Sequence, residues 1–391
     1  MNYILFDGND KQALLPFTYT RPIGEIRVGI LSIKEKWENY LATKVSYFVE
    51  DYLAQKFPLQ LGKTNVVINA TYLPTKTLLA EINGLKIGEA LFFKEDIVAY
   101  VSKEDSLQYD ASNYKIKQLN DVGLTIKHTW EIFAKNDEAI REDFNLLTTG
   151  RISAPISTTN TVIAPENIFL EEGAKVECSI LNASTGPIYI GKDAEIMEGC
   201  IIRGALAMCE HAVLKMGAKI YGASTFGPYC KVGGEVNNSV LFAYSNKGHE
   251  GFLGNSVLGE WCNLGADTNT SNLKNNYAPV RLWDYQTEGF AHTGLQFCGL
   301  MMGDHSKAGI NTMFNTGTVV GVNANVFGSG FPRNFIPSYS WGGASGFTTY
   351  RTNKAFETAK AMMGRRNIEF DAVEKELFEA VFELTKKWRK D

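Results

Sequence analysis

A six-residue period runs through the chain from residue 190 onward and constrains its fold more than any other feature. Large apolar side chains occupy one position of consecutive hexads: Ile190, Ile196, Ile202, Met208, Leu214, Ile220, Phe226 and Val232. Four residues after each stands a residue that is nearly always small: Ala194, Cys200, Leu206, Ala212, Ala218, Ser224, Cys230 and Val236. The same register returns in Met302, Ala308, Phe314, Val320 and Val326. A fixed repeat of this length indicates a solenoid and fits neither an α-helix nor a simple hairpin.

These hexads predict a triangular parallel β-helix, in which each hexad forms one flat face and three faces close one coil. The large side chain points inward onto its equivalent in the next coil, so that stacked coils bury one continuous core. Hexads of this type wind left-handed. Glycine directly after the large residue, as at Gly191 and Gly321, is expected to permit the tight turn between faces. The competing interpretation, a chance apolar rhythm in an ordinary sheet, is disfavoured by so many hexads in one register.

Composition narrows the class of protein. The chain has 391 residues and a net charge of -4, so it has room for two or three domains and lacks the basic footprint of a nucleic-acid-binding protein. No apolar run is long enough to span a membrane, and the first residues do not resemble a secretory signal. We therefore expect a cytoplasmic protein without nucleic-acid or membrane partners. Cys200 and Cys230 fill small-residue positions of the repeat and are expected to be buried thiols rather than a disulfide frame.

The residues before the hexads follow a different pattern. Short apolar runs predict buried strands at 3–6, 66–68 and 90–93, and helical spacing is found at 29–41 and 75–82. Alternating strands and helices indicate an α/β layer structure. The predicted organisation is an α/β domain at 1–129, a linker helix at 130–150, the β-helix at 151–350 and a helical tail at 351–391. Within this scheme, Phe331–Gly346 is expected to be an extended wrap that leaves the solenoid.

A polar, glycine-rich stretch lies where the hexads are interrupted, between Val232 and Leu253 and again between Asn272 and Met302. It includes Gly248 and His249. Polar excursions from a rigid core often carry function, and a histidine there can serve as a general base near neutral pH. The alternative is a histidine that only hydrogen-bonds its loop.

The stretch from Lys247 to Asn272 resembles the acetyltransferase domain of the bifunctional N-acetylglucosamine-1-phosphate uridyltransferase / glucosamine-1-phosphate N-acetyltransferase family. The residues that carry the resemblance are Gly248-His249, Phe252-Leu253-Gly254, Leu258-Gly259, Asn263-Leu264-Gly265-Ala266-Asp267-Thr268 and Asn272. The order of domains is similar as well. The resemblance implies a divergent branch of that family, with a short Rossmann-like sugar nucleotidyltransferase domain followed by a left-handed parallel β-helix of hexapeptide repeats.

The resemblance also implies roles for particular residues. His249 would be the general base that takes a proton from the sugar amine as the amine attacks acetyl-CoA, the acetyl donor. Phe252, Asn263, Asn272 and Lys247 would contact the sugar, and a homotrimer would form through the β-helix. Phe252 stands where the family has Tyr, so a hydroxyl that could bond the sugar is absent here. Basic side chains that could hold the sugar phosphate are candidates by charge alone: Lys219, Lys231, Lys247, Lys274 and Arg281.

The N-terminal part is similar to the opening of sugar nucleotidyltransferases. After the predicted strand come Gly8 and Lys11, and Thr20-Arg21-Pro22 follows. In that family a glycine-rich loop cradles the nucleotide phosphates, and Arg and Lys offset the charge of pyrophosphate. The resemblance implies that Gly8, Lys11 and Arg21 bind a nucleoside triphosphate, expected to be UTP, together with Mg²⁺. The metal ligands stay unknown, with Glu95-Asp96 as the nearest candidates.

Three functions follow from these features. The favoured one is a transferase that acts on sugar phosphates and nucleotides and makes a nucleotide-activated N-acetylated sugar, expected to be UDP-N-acetylglucosamine. The second is a nucleotidyltransferase alone, of the glucose-1-phosphate thymidylyl or guanylyl type, with a structural or regulatory β-helix. The third is a non-catalytic scaffold that binds a sugar nucleotide.

Overall fold

The computed structural model describes residues 1–103, 107 and 109–389, and these form two compact units. The first unit contains Met1–Leu14, Thr18–Ile26 and Leu31–His128. The second contains Leu15–Phe17, Arg27–Ile30 and the chain from Thr129 onward.

The first unit is an α/β layer built on one mixed sheet. Its elements are β1 (Asn2–Phe6), α1 (Ile33–Leu41), β2 (Ser46–Phe48), α2 (Asp51–Ala54), β3 (Thr64–Asn69), α3 (Lys76–Asn83), β4 (Glu89–Phe93), β5 (Asp96–Lys103) and β6 (Lys115–Gln118). The strand order is β2-β1-β3-β5-β4-β6. β1 pairs in parallel with β2 and β3, whereas β5 runs antiparallel to both β3 and β4. The strands predicted at 3–6, 66–68 and 90–93 are confirmed.

Both helices predicted in the first unit exist, with later starts. α1 begins at Ile33 rather than at residue 29, because Ser32 and Glu35 form a capping box there. The Ser32 side chain accepts the Glu35 backbone N–H, and the Glu35 carboxylate accepts the Ser32 backbone N–H at 2.6 Å. α3 begins after Thr75, whose hydroxyl accepts the backbone N–H of Leu78 at 3.0 Å.

Two helices, not one, occupy the predicted linker. They are α4 (Thr129–Ala134) and α5 (Asn136–Thr148), and both belong to the second unit. Asn136, at the start of α5, is fully buried and donates to the carbonyl of Ala223 at 2.9 Å and to the hydroxyl of Thr225 at 3.0 Å. α5 is therefore attached to the β-helix by buried hydrogen bonds.

The rest of the second unit is dominated by short strands, most of which repeat around a left-handed parallel β-helix. In chain order they are β7 (Thr161–Ile163), β8 (Ile168–Leu170), β9 (Lys175–Val176), β10 (Ile180–Asn182), β11 (Ile188–Ile190), β12 (Glu195–Ile196), β13 (Ile201–Arg203), β14 (Leu206–Met208), β15 (Val213–Leu214), β16 (Lys219–Tyr221), β17 (Ser224–Phe226), β18 (Lys231–Val232), β19 (Glu235–Asn237), β20 (Val240–Leu241), β21 (Asn246–Lys247), β22 (Phe252–Gly254), β23 (Val257–Leu258), β24 (Asn263–Leu264), β25 (Asn269–Thr270), β26 (Arg281–Asp284), β27 (Gly289–His292), β28 (Leu300–Met302), β29 (Lys307–Ala308), β30 (Met313–Phe314), β31 (Thr318–Val320), β32 (Asn325–Val326), β33 (Phe335–Ile336), β34 (Ser340–Gly343) and β35 (Gly346–Thr349).

Three parallel sheets form the faces of this β-helix. The first face is β7-β10-β13-β16-β19-β22, and the paired strands β25 and β30 form a separate short parallel sheet. The second face is β8-β11-β14-β17-β20-β23-β28-β31-β33, and the third is β9-β12-β15-β18-β21-β24-β29-β32-β34. The hexad residues lie directly above one another, as in the register Ile190↔Met208↔Phe226. These side chains are buried in one core cluster, which confirms the predicted inward stack.

The interruption predicted between Val232 and Leu253 is wrong, because the coils continue there with shorter corners. Val236 pairs with both Ile220 and Leu253 on the first face, although it follows Val232 by only four residues. It therefore takes the place of a large inward residue instead of a small one. The second interruption is real: an antiparallel hairpin, β26–β27, is inserted before the second face resumes at β28.

The extended wrap predicted for Phe331–Gly346 is also wrong. β33 pairs in parallel with β31, and β34 pairs in parallel with β32, so this segment continues the coil stack. Only β35 departs from it, by folding back antiparallel on β34.

Glycine after the large residue is explained by close packing between coils rather than by turn conformation. A Cβ on Gly191 would lie 2.7 Å from the carbonyl carbon of Cys209, and one on Gly321 would lie 2.3 Å from the backbone nitrogen of Ser338. Both contacts are to backbone of the next coil. The left-handed conformation falls instead on bulky corner residues such as Tyr229 (φ 60°) and Trp261 (φ 60°).

The tail forms α6 (Thr352–Gly364) and α7 (Ala372–Leu384), which pack beside the corner between the second and third faces. Tyr339 donates its hydroxyl to the carbonyl of Phe378 at 2.6 Å, and the ring of His305 contacts that of Phe378. The predicted helical tail is confirmed up to Leu384, and its Lys390 and Asp391 lie outside the described residues. Across the described chain, no helix combines the length and apolar character needed to cross a bilayer.

Candidate active site on the third face of the β-helix

His249 lies at a corner of the β-helix beside a pocket of about 490 Å³. The corner joins β21 on the third face to β22 on the first face of the next coil, and His249 is exposed there. The pocket is lined by Lys215, Lys231, Asn246, Gly248, His249, Asn263, Leu264, Gly265, Ala266, Ile310, Met362, Arg365 and Arg366. Within the described chain, the imidazole of His249 has no hydrogen-bond partner, so it is available to a ligand.

Cations from two distant parts of the chain surround this pocket. Lys215 and Lys231 come from successive coils of the third face, and Arg365 and Arg366 follow the last turn of α6. Burial lowers the pKa of Lys231, and the charges of Arg366, Lys215 and Arg365 lower it further. None of the described residues that line the pocket is acidic. Such a concentration of like charge is an anion-binding environment.

Two asparagines on the third face complete the pocket. Lys231 pairs with Asn246, and Asn246 pairs with Asn263, so the three side chains form one outward column on consecutive coils. The Oδ1 atom of Asn246 is buried and has no hydrogen-bond partner in the structure. A buried acceptor without a partner costs free energy, which a bound N–H or O–H group would recover. This atom and the imidazole of His249 are therefore polar groups of the pocket that a ligand can contact.

Lys247, predicted to contact the sugar, is directed into the β-helix. Its side chain is only 2% exposed, and its ammonium donates to the backbone carbonyl of His249. It does not line the pocket. Asn263 lines the pocket with His249, so these two predicted residues are brought together.

Phe252 and Asn272 are positioned elsewhere around the coil. Phe252 begins β22 on the first face, where its backbone N–H donates to the side chain of Asn269 at 2.8 Å. Asn272 donates its amide to Asn255 at 2.8 Å. Asn255 borders a separate cavity of about 850 Å³, lined also by Arg141, Arg203 and Lys219. Neither Phe252 nor Asn272 lines the pocket beside His249 in one chain.

Sequence reasoning missed several of the pocket residues. Lys231 was a candidate by charge, but Lys215, Asn246, Arg365 and Arg366 were not singled out. The Arg-Arg pair after a helical segment was the one available signal, and nothing local connects it to a corner more than 110 positions earlier. The other charge candidates point elsewhere: the ammonium of Lys219 lies 3.5 Å from the carboxylate of Glu250, and that of Lys274 donates to the carbonyl of Pro279.

In the first unit, Gly8 and Lys11 follow β1 at the carboxyl edge of the sheet. The ammonium of Lys11 lies 3.6 Å from the carboxylate of Asp7 and 2.9 Å from that of Glu50. Burial raises the pKa of Asp7 to about 6, against the opposing effect of Lys11. A Cβ on Gly8 would meet the amide of Asn69, at the end of β3, at 2.5 Å. The carboxyl edge of parallel strands is where α/β sheets bind ligands.

Arg21 is only 5% exposed, and its contact with a nucleotide stays a prediction. Near the same edge, Lys127 forms ion pairs with Asp96 and, at 3.6 Å, with Asp10. Burial raises the pKa of Asp10, and Lys127 partly offsets this. No group of three or more His, Cys, Asp or Glu side chains suited to a metal occurs among the residues described. The carboxylates of Asp7, Asp10 and Asp96 near this edge form ion pairs with lysines.

Comparison with known proteins supports both halves of this description. Residues 3–152 match the family of sugar nucleotidyl transferases. The bifunctional protein GlmU of Methanococcus maripaludis strain C5 is 26% identical over 278 residues, which cover 68% of this chain and 61% of that protein. The GlmU of Methanocaldococcus jannaschii is 33% identical over 89 residues, 23% of this chain and 21% of that one. A putative uncharacterized acetyltransferase of Escherichia coli K12, YaiX, is 26% identical over 149 residues, 38% of this chain and 64% of its own length.

The chain thus spans about three fifths of the length of the Methanococcus maripaludis GlmU protein that it matches. The resemblance inferred from Gly248-His249 and the following motifs is confirmed as a similarity to GlmU proteins. The chain is similar to GlmU proteins: its residues 3–152 match the sugar nucleotidyl transferase family, and a left-handed parallel β-helix follows them.

Proposed function

We propose that this chain is a bifunctional transferase of sugar-nucleotide synthesis whose β-helix transfers an acetyl group from acetyl-CoA to the amine of an amino-sugar phosphate. The observation that carries the proposal is the pocket at His249. It combines a histidine without an internal partner, a buried acceptor without a partner and a surrounding ring of cations. A phosphorylated substrate with a nucleophilic amine needs those three features.

The residues of the pocket suit each stage of this reaction. The amine attacks the thioester carbonyl, a C–N bond forms, and the imidazole of His249 takes the amine proton. Collapse of the tetrahedral intermediate breaks the C–S bond, and the coenzyme leaves as its thiolate, to which His249 can return a proton. Oδ1 of Asn246 can accept an N–H or O–H of the acceptor and orient it. Lys215, Lys231, Arg365 and Arg366 would hold phosphate groups of the donor or the acceptor.

The experiment is a measurement of thiol release from acetyl-CoA with a panel of amino-sugar phosphates, beginning with glucosamine-1-phosphate. His249→Ala should abolish release, whereas His292→Ala should not, because His292 is exposed on the β26–β27 hairpin away from the pocket. Equal activity in wild type and His249→Ala would refute a catalytic role for this histidine. No release with any amine would leave the β-helix as a structural or regulatory frame.

For the first unit we propose nucleotidyl transfer to a sugar-1-phosphate. The match to sugar nucleotidyl transferases and the position of Lys11 after β1 support it. The expected product of the two activities is UDP-N-acetylglucosamine. The test is pyrophosphate release from UTP, dTTP and GTP in the presence of Mg²⁺ and sugar-1-phosphates, with Lys11→Met as the inactive variant. Release with dTTP or GTP alone would favour the thymidylyl or guanylyl alternative, and no release with any nucleotide would favour the scaffold.

We further propose a homotrimer formed through the β-helices. His249 lies at one end of the first face and Asn272 near the other, so a single sugar that contacts both is best accommodated where two chains face each other. The measurement is the mass in solution by light scattering. A monomer at micromolar concentration with full thiol-release activity would refute it.

A further inference from the structure

The third face of the β-helix contains one inward position that breaks the apolar pattern. The column of inward residues on this face is listed in coil order: Val176, Ile196, Leu214, Val232, Lys247, Leu264, Ala308 and Val326. Lys247 stands in register with Val232. Every other member of this described column is apolar, so a lysine here is not explained by the hexad pattern.

The side chain of Lys247 is fully accommodated inside the corner that carries His249. It is 2% exposed, and its Nζ donates to the backbone carbonyl of His249. A Cβ on Gly234 would lie 2.9 Å from Nζ, so the lack of a side chain at Gly234 makes room for the ammonium. The contact joins the core of one coil to the residue that faces the pocket.

Burial of this ammonium is unfavourable by itself. Desolvation lowers the pKa of Lys247 to about 8; Glu250 and Asp267 oppose this effect, and Lys219 adds to it. Glu250 lies in the corner after β21, Asp267 in the corner after β24 and Lys219 on β16. The ammonium of Lys219 is itself 3.5 Å from the carboxylate of Glu250. An apolar side chain of similar volume at such a position is often neutral or stabilising. Stability therefore does not account for Lys247.

We propose that Lys247 is a positioning residue, whose ammonium holds the carbonyl of His249 and so keeps the imidazole directed into the pocket. This proposal rests on the proposed role of His249. Lys247 does not touch the substrate. It acts through the backbone of the corner, whose flanking residues Gly248 and Gly251 offer little resistance to movement on their own.

The test compares Lys247→Met with a matched control, Lys307→Met. Lys307 also donates to the backbone carbonyl of a histidine, His305, at 2.7 Å, and burial also lowers its pKa to about 8. It does not line the pocket. We expect Lys247→Met to unfold at the same or a higher urea concentration than wild type, while kcat for thiol release falls about 10- to 100-fold and KM changes less than threefold. Lys307→Met should keep kcat within twofold.

The pH dependence gives a second readout. Wild type should lose kcat as pH rises through about 8, because the ammonium is then deprotonated, and Lys247→Met should show no such loss. Between about pH 8 and 10 the unfolded chain binds more protons at this lysine than the folded chain, so the stability of wild type should rise relative to Lys247→Met. Retained kcat in Lys247→Met, or joint loss of stability and activity, would overturn the proposal.

A spectroscopic measurement separates this proposal from the proposed function. In protein labelled with ¹³C at histidine Cε1, the His249 signal is assigned by its absence in His249→Gln. It should show an inflection near pH 8 in wild type and Lys307→Met, and none in Lys247→Met. This holds whether or not acetyl-CoA is a substrate. If no thiol is released but the inflection is present, the acetyl-transfer proposal fails, while the proposed effect of Lys247 on His249 stands. If Lys247→Met shows the same inflection as wild type, the proposed effect of Lys247 on His249 is refuted.

Discussion

Replacement of both arginines after α6 tests whether the cationic pocket binds phosphate. In Arg365→Gln/Arg366→Gln, two of the four cations around the pocket are removed while the helix itself is kept. A hydrogen bond to a charged group contributes about 1.5 kcal/mol or more, and about 1.4 kcal/mol changes Kd tenfold. Loss of one such contact from each arginine should therefore weaken the binding of coenzyme A, or of the sugar phosphate, by about 100-fold.

The assay is isothermal titration calorimetry with coenzyme A and with glucosamine-1-phosphate as separate probes. Lys360→Gln is the control for a general loss of charge, because it removes one positive charge from an exposed position on α6 that does not line the pocket. The affinity of the wild type should also fall as salt rises from about 0.05 to 0.5 M, since screening weakens exposed charge interactions, and the double variant should be less sensitive to salt. The probe that loses affinity identifies the ligand whose phosphates occupy the pocket.

The melting temperature of the double variant distinguishes a ligand-binding site from a cluster of cations that stabilises the fold. The charges of Arg366, Lys215 and Arg365 lower the pKa of Lys231, so the four cations repel one another in the free protein. The double variant should therefore melt at the same or a higher temperature while it binds ligand less tightly. If both probes bind the double variant as tightly as wild type, or if Lys360→Gln weakens binding equally, the pocket is not a phosphate site.

Three further predictions concern stability. Phe226→Ala empties a fully buried position between Met208 and Leu241 and should cost about 3–5 kcal/mol in urea unfolding, against less than about 1 kcal/mol for the half-exposed Phe290→Ala; equal losses would contradict the inward stack. Gly321→Ala should lower the melting temperature because its Cβ would lie 2.3 Å from the backbone of Ser338, whereas Gly364→Ala, with open space around it, should not; a stable Gly321→Ala would show that the coils can separate locally. Burial raises the pKa of Asp7 to about 6, so the folded chain binds more protons than the unfolded chain between about pH 4 and 6, and this residue's contribution to stability falls as pH rises through that window. Asp7→Asn should remove that contribution, measured as a smaller difference in urea midpoint between pH 4.5 and 7; an unchanged difference would refute the assignment.

The fold of the second unit could be predicted from the sequence because its inward residues obey a strict period. Each inward side chain is in register with its equivalents in the neighbouring coils, as Ile190, Met208 and Phe226 are, so the local pattern contains much of the long-range packing. The predictions failed where the period changed. After Val232 the corner shortens, and Val236 takes an aliphatic position; at Phe335 the apolar signal is sparse, although the strand still pairs with β31.

The site could be predicted only in part, because its residues obey different constraints. His249 and Asn263, which line one pocket, were predicted from a motif in one short stretch of chain. Asn246 is on the outward side of its strand, where the hexad pattern places no requirement on residue type. The predicted sugar contact of Lys247 is wrong. Lys247 is close to His249 in the sequence, but the strand register directs its side chain into the β-helix. The charge of Lys247 suggested a ligand contact, whereas its inward position makes it a core residue.

Inward and outward residues of the strands obey different constraints, and this difference explains how a regular β-helix can carry a specific site. Because each coil contacts mainly its neighbours, the inward columns hold the frame while the outward residues of β18, β21 and β24 are free to vary. Those strands supply Lys231, Asn246 and Asn263 as one polar column, and α6 brings Arg365 and Arg366 to it from the tail. The period that reveals the frame therefore says nothing about the ligand. Substrate choice in this chain should be sought in the outward column of the third face and in Arg365 and Arg366 after α6, and exchange of these residues should alter the substrate without altering the β-helix.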